Sequence, residues 1–77
     1  MGAATSDAGI TTEVKAEYLA DRDLAGLAID VDTRDRVVTL SGTVHTAAEK
    51  ARAIQLANKV DNVARVEDKL IVQSLPK

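Results

Sequence analysis

The sequence predicts a small α+β domain, with helix, strand, strand, helix and strand in that order (αββαβ) and a three-stranded sheet that carries both helices on one face. Three observations predict it. Val37-Val38-Thr39-Leu40-Ser41-Gly42-Thr43-Val44 alternates apolar and polar residues for a whole strand. Thr46 and Glu49 follow at once with the spacing of a capping box, so a helix starts where the strand stops. Ile10, Val14 and Tyr18 recur at the interval of one helix face near the other end of the chain.

The elements follow in order. Met1 to Gly9 are small and polar and are read as a flexible tail, with no apolar centre of a secretory signal peptide. Gly2 and Ser6 match the spacing of a myristoylation pattern, but such short patterns recur by chance and the tail is not read as an anchor. The first helix is placed from Thr12 to Ala20, capped by Thr11 or Thr12, with Glu13 in its first turn and Leu19 beside the apolar stripe. Leu24 and Leu27 of the connector are expected to turn inward. Ala28 to Thr33 reads as a strand with Ile29 and Val31 on one face and Asp30 and Asp32 on the other. The polar stretch Thr33 to Arg36 then makes a hairpin with the second strand.

In that second strand Val38, Leu40, Gly42 and Val44 share the inward parity. Gly42, lacking a side chain, is expected to let another element come close. The second helix spans Ala47 to Val60, with Ala53, Ile54, Ala57 and Val60 as its stripe and Ala47 and Ala51 at the margins. Its small residues suggest that it lies close over Gly42. Lys59 sits in its last turn, and Asn62 tolerates the left-handed backbone that stops a helix. Val66, Leu70 and Val72 mark the third strand, while Glu67, Lys69, Ile71 and Gln73 face away; Ser74 to Lys77 is a tail. The domain therefore runs from 10 to 73. At 77 residues it buries roughly 60–65% of the surface of its unfolded chain, and without cysteine its core must be aliphatic.

Composition excludes several function classes. The formal net charge is −2 with acids and bases interleaved, so no single-sign block draws in nucleic acid or an anionic membrane by bulk electrostatics. The strands lack stacking aromatics and there is no Gly-x-x-Gly loop, which removes the common RNA-binding designs. No glycine-rich phosphate loop and no nucleophile–base spacing argues for an enzyme. His45, the single histidine, is read as a turn residue, because no cysteine or second histidine completes a metal set. Asp30 and Asp32, with Glu67 on the third strand, could hold a cation, but they alternate as any solvated face does. Lys50, Arg52 and Lys59 make the second helix locally basic, and these three are the expected contacts to an anionic lipid surface. Val37 and Ile71, pointing away from the helices, are candidate contacts for a partner protein.

Ile29-x-Val31, the run Val37 to Val44, the capped alanine-rich helix, Val60-x-x-Val63-x-x-Val66 and Leu70-x-Val72 together resemble a BON domain, over roughly Ile10 to Gln73. Where that family often has glycine this chain has Arg36, which implies a different hairpin turn, and Asn62 after the second helix. BON domains occur in osmotically induced periplasmic proteins, envelope lipoproteins, secretion and channel proteins and a potassium-binding protein. Their suggested role is attachment to phospholipid membranes. The resemblance thus implies a non-enzymatic binding module of the bacterial periplasm or envelope, without a cofactor, that associates weakly with phospholipid. Docking other envelope proteins or a second copy through the open sheet face or an edge is the alternative, and potassium binding a minor one. The family carries no shared binding residues, so Gly42, Thr46, Glu49 and Asn62 are assigned structural roles.

Overall fold

The computed structural model describes residues 6–75. Its order is α1 (Asp7–Ala20), β1 (Ala28–Arg34), β2 (Val37–Val44), α2 (Ala47–Lys59) and β3 (Arg65–Val72). The strands lie in the order β1-β2-β3, with β1 antiparallel and β3 parallel to the central β2. The αββαβ order and the antiparallel β1–β2 hairpin are thus as the sequence predicts, and the strand order and the parallel pairing of β3 are what the structure adds. Gly2, the rest of residues 1–5 and residues 76–77 lie outside the described residues.

β2 organises the core. Val38, Leu40 and Val44 are fully buried, and the register sets Val31 and Thr33 of β1 and Val66, Leu70 and Val72 of β3 on the same face. Ile10, Val14 and Tyr18 of α1 and Ala53, Leu56, Ala57 and Val60 from α2 and its cap close over that face, with Leu24 sealing the connector end. Leu56 belongs to the buried stripe although the sequence pattern had Ile54 in its place, and Ile54 is only partly buried. The Tyr18 hydroxyl donates to the Ala53 carbonyl at 2.7 Å and so joins the two helices through the core. Burial holds its phenol well above the usual tyrosine range.

α1 starts at Asp7, five residues before the predicted Thr12, so residues 7–9 of the expected tail are helical. Ser6 is the cap, accepting from the Gly9 N–H at 3.0 Å, and Asp7 supplies the acid of the first turn. Thr11 and Thr12 are inside the helix instead. The Thr11 hydroxyl donates to Thr33 of β1 and the Thr12 hydroxyl to the Ala8 carbonyl. Gly9, the end of the expected tail, lies in this first turn with its N–H on the Ser6 cap.

The reason for Gly42 differs from the expected one. Its φ is +108°, and an added Cβ would fall on the Ala28 carbonyl oxygen and within 3.4 Å of the Ile29 Cα. The element that comes close is the backbone of β1, across the Ile29–Gly42 pair, rather than α2. The hairpin also departs from expectation. Asp35 and Arg36 are its two loop residues, with φ of 51° and 65°, the left-handed pair of a type I′ turn that usually selects glycine second. Arg36 therefore occupies the glycine position of this turn rather than imposing another one. Asn62 is left-handed (φ 72°) as predicted, but α2 has already ended with its cap at Val60, so Asn62 shapes the turn beyond the helix.

Candidate functional site

The sequence-predicted lipid contacts lie on α2, and the structure gives two of the three a partner. The Lys50 ammonium is 3.1 Å from Asp68 Oδ2, and the Arg52 Nε donates to Asp21 Oδ2 at 2.8 Å. Lys59 is exposed and makes no ion pair among the described residues. Both partners are themselves structural. Asp21 caps the end of α1, accepts from the Asp23 N–H and holds the connector through its carbonyl, to Leu24 and Ala25. The Arg52 hydrogen bond keeps its carboxyl below the usual aspartate range, against the opposing effect of desolvation. Asp68 lies on the helix side of β3 and accepts the Leu70 N–H at 2.9 Å. Gln73 N–H donates inward to Val44, so by alternation the Leu70 N–H points to the outer edge of the sheet. Asp68 thus occupies a donor that an added strand would use, and Lys50 lies over it.

The other assigned residues do structural work. Thr46 Oγ1 accepts from the Glu49 N–H at 3.0 Å, and Glu49 Oε1 accepts from the Thr46 N–H at 3.2 Å and the His45 N–H at 2.6 Å, completing the capping box. His45 is half-buried, and its ring has no hydrogen bond among the described residues. One residue escaped sequence reasoning. Asp7 Oδ2 and Oδ1 accept the Asp35 and Arg36 N–H groups at 2.9 Å each, so the first turn of α1 clasps the hairpin. Only an acid in the first turn of a helix hinted at it.

The face of the sheet away from the helices is open. Reading across the strands, its rows are Arg34–Val37–Arg65, Asp32–Thr39–Glu67, Asp30–Ser41–Lys69 and Ala28–Thr43–Ile71. The residues of the central strand in these rows are half-buried although none of the described elements packs over them, while those of the outer strands are exposed. Long charged side chains therefore wall a trough whose floor is Val37, Thr39, Ser41 and Thr43. One end of it is an open recess of about 420 Å³ between residues 32–39 and 65–69. Arg65 and Glu67, two residues apart on β3, touch along one wall of it at 3.4 Å, with 67% and 46% of their side chains exposed. Asp30, Asp32 and Glu67 share this face, but no group of three His, Cys, Asp or Glu residues able to hold a metal ion occurs among the described residues.

Comparison with known proteins places this geometry. The sequence profile of the BON domain matches residues 6–74, from the Ser6 cap to the residue after β3 and its extension. The chain belongs to the BON domain family. It is 42% identical over 64 residues, 83% of its length, to the osmotically-inducible protein Y of Escherichia coli strain K12, and those residues cover 32% of that protein. The chain thus spans about a third of the length of the curated relative it matches. The match begins before the predicted start of the first helix, in agreement with the Ser6 cap.

Proposed function

We propose that this BON domain is a non-enzymatic binding module of the bacterial envelope that associates weakly with phospholipid surfaces. The observation that carries the reading is the uncovered sheet face, which holds the exposed guanidinium groups of Arg34 and Arg65 beside a half-buried floor. Its relative is described as osmotically inducible, which supports a role under osmotic stress. Among the described residues no helix is long and apolar enough to cross a membrane.

Lys50, Arg52 and Lys59 form a second potential contact on α2. Lys50 and Arg52 would have to exchange Asp68 and Asp21 for lipid phosphate, which leaves Lys59 as the readily available charge. A basic side chain near an anionic surface contributes about 1 kcal/mol, so binding is weak and falls with salt. Co-sedimentation with vesicles of zwitterionic and of mixed anionic lipid, at low and at physiological salt, tests the reading. Pelleting above the vesicle-free control at low salt supports it, and none with either lipid overturns it.

A second reading, a protein-assembly module, is favoured by Ile71 and Val72 at the end of β3 and Leu75 beyond it, which are 63%, 40% and 64% exposed. Sedimentation velocity over a hundredfold concentration range distinguishes it, since self-association moves the sedimentation coefficient and a strict monomer does not.

A further inference from the structure

We infer that the trough on the open sheet face is a site for a phosphate–ammonium zwitterion of the phosphoethanolamine kind, with Arg34 and Arg65 on the phosphate and Asp32 and Glu67 on the ammonium. The inference rests on the phospholipid reading and deepens it by naming the group that is recognised. It starts from the order of charges in adjacent rows. Arg34 and Arg65 flank Val37, and Asp32 and Glu67 flank Thr39, in the next outward-facing row of the same three strands. Neighbouring strands are about 4.8 Å apart, so each flanking pair starts ~10 Å apart at Cα, and the two rows are separated by ~7 Å along the strands. Two arginine side chains can converge on one phosphate over the Val37 floor, where the planar guanidinium matches the oxygen geometry. A two-carbon link then reaches the acidic row.

The charge balance of the recess selects the ligand. Asp32, Asp35 and Glu67 are matched by Arg34, Arg65 and Lys69, three of each sign. A purely anionic ligand would meet as many carboxylates as cations, whereas a zwitterion laid across the rows meets opposite charge at both ends. The Arg65–Glu67 contact at 3.4 Å spans the same two rows and is exposed on both sides, so a ligand can replace it at little cost. A primary ammonium is preferred over a quaternary one, because Asp32 and Glu67 offer acceptors and a choline group has no N–H to donate.

The test is a titration of the full chain, followed by amide NMR shifts, with glycerophosphoethanolamine and in parallel with glycerophosphocholine and inorganic phosphate. The site predicts saturable shifts confined to residues 32–41 and 65–69 with glycerophosphoethanolamine. Affinity should fall at least about tenfold for the choline compound, for phosphate and for the Arg34→Gln/Arg65→Gln variant, which removes the planar anion contacts. Equal response to all three compounds, shifts centred elsewhere, or no shift overturns it. Vesicles of phosphatidylcholine with and without phosphatidylethanolamine separate the two readings. Pelleting that ignores both the added lipid and the double variant leaves membrane association standing and removes this site. Saturable binding of the soluble compound without pelleting keeps the site, as a receptor for the free zwitterion, and removes the membrane.

Discussion

On the helix-covered face of the sheet, Val38, Leu40 and Val44 are fully buried, and the charged residue there, Asp68, is matched by Lys50 and by the Leu70 N–H. One residue along in each strand, on the open face, Asp32, Arg34, Arg65 and Glu67 stay at the surface with a single loose contact between them. The two faces draw on similar side chains and differ in what those side chains are committed to. On the covered side, charge completes the fold; on the open side it remains available for a ligand. The same contrast separates the cations of α2, two of them tied to aspartates that cap or shield other elements, from the arginines of the sheet.

Substitutions that break the covered side should have the largest effects. Gly42→Ala sets a side chain against the Ala28 carbonyl and forces a φ of +108° on a residue with Cβ. A cost of roughly 3 kcal/mol or more is expected, read as a large drop in the urea midpoint. A midpoint within experimental error of the parent would show that β1 can move away from β2 at this pair, and the argument from backbone proximity would fail.

Next in size is the clasp between α1 and the hairpin. Asp7→Ala removes two charge-assisted hydrogen bonds from a turn held in a strained left-handed pair, and about 1–2 kcal/mol should be lost. Faster exchange of the Asp35 and Arg36 amides, with Val38 and Leu40 still protected, would mark the loss as local. Arg36→Gly works in the opposite sense: relief of its φ of 65° should stabilise the protein by roughly 0.5–1 kcal/mol.

How much of this was legible in the sequence follows from the range of each interaction. The β2 alternation, the Thr46–Glu49 box and the Ile10–Val14–Tyr18 stripe are local patterns, and all three stand in the structure. Asp7 acts on a turn 28 residues away, and the approach at Gly42 depends on which strand lies beside it, so neither could be read from spacing. The first turn of α1 was hidden because residues 1–9 read as a small, polar tail, although Ser6 was a valid cap. The lipid contacts assigned to α2 fared differently. Lys50 and Arg52 look unpaired along the helix, where Glu49 is the one acid, and their partners Asp68 and Asp21 come from β3 and the end of α1. Whether a surface charge is available is a tertiary property.

The core has its own pH signature. The Tyr18 phenol is held above its ordinary range in the folded chain, so folding favours the protonated form. The sign follows: this contribution is complete below a pH of about 10, where the unfolded tyrosine is also protonated, and is lost as the pH rises above it. Tyr18→Phe should cost about 1 kcal/mol at neutral pH through loss of the hydrogen bond to the Ala53 carbonyl. It should also flatten the alkaline decline of stability measured by denaturation between pH 8 and 11. A parallel decline in both proteins would assign the loss to another group.

The smallest expected effect is the most informative about the open face. If Arg34 and Arg65 are not committed to the fold, the Arg34→Gln/Arg65→Gln chain should unfold within about 0.5 kcal/mol of the parent, because the Arg65–Glu67 contact is exposed and contributes little. Lys50→Gln, in contrast, leaves the mostly covered Asp68 without its cation and should cost more than the two arginine changes together. Equilibrium urea curves of the two variants, run side by side, rank the faces directly. The reverse order would mean that the open-face arginines hold the hairpin and β3 together, and a site requiring them to turn toward a ligand would then compete with the stability of the sheet itself.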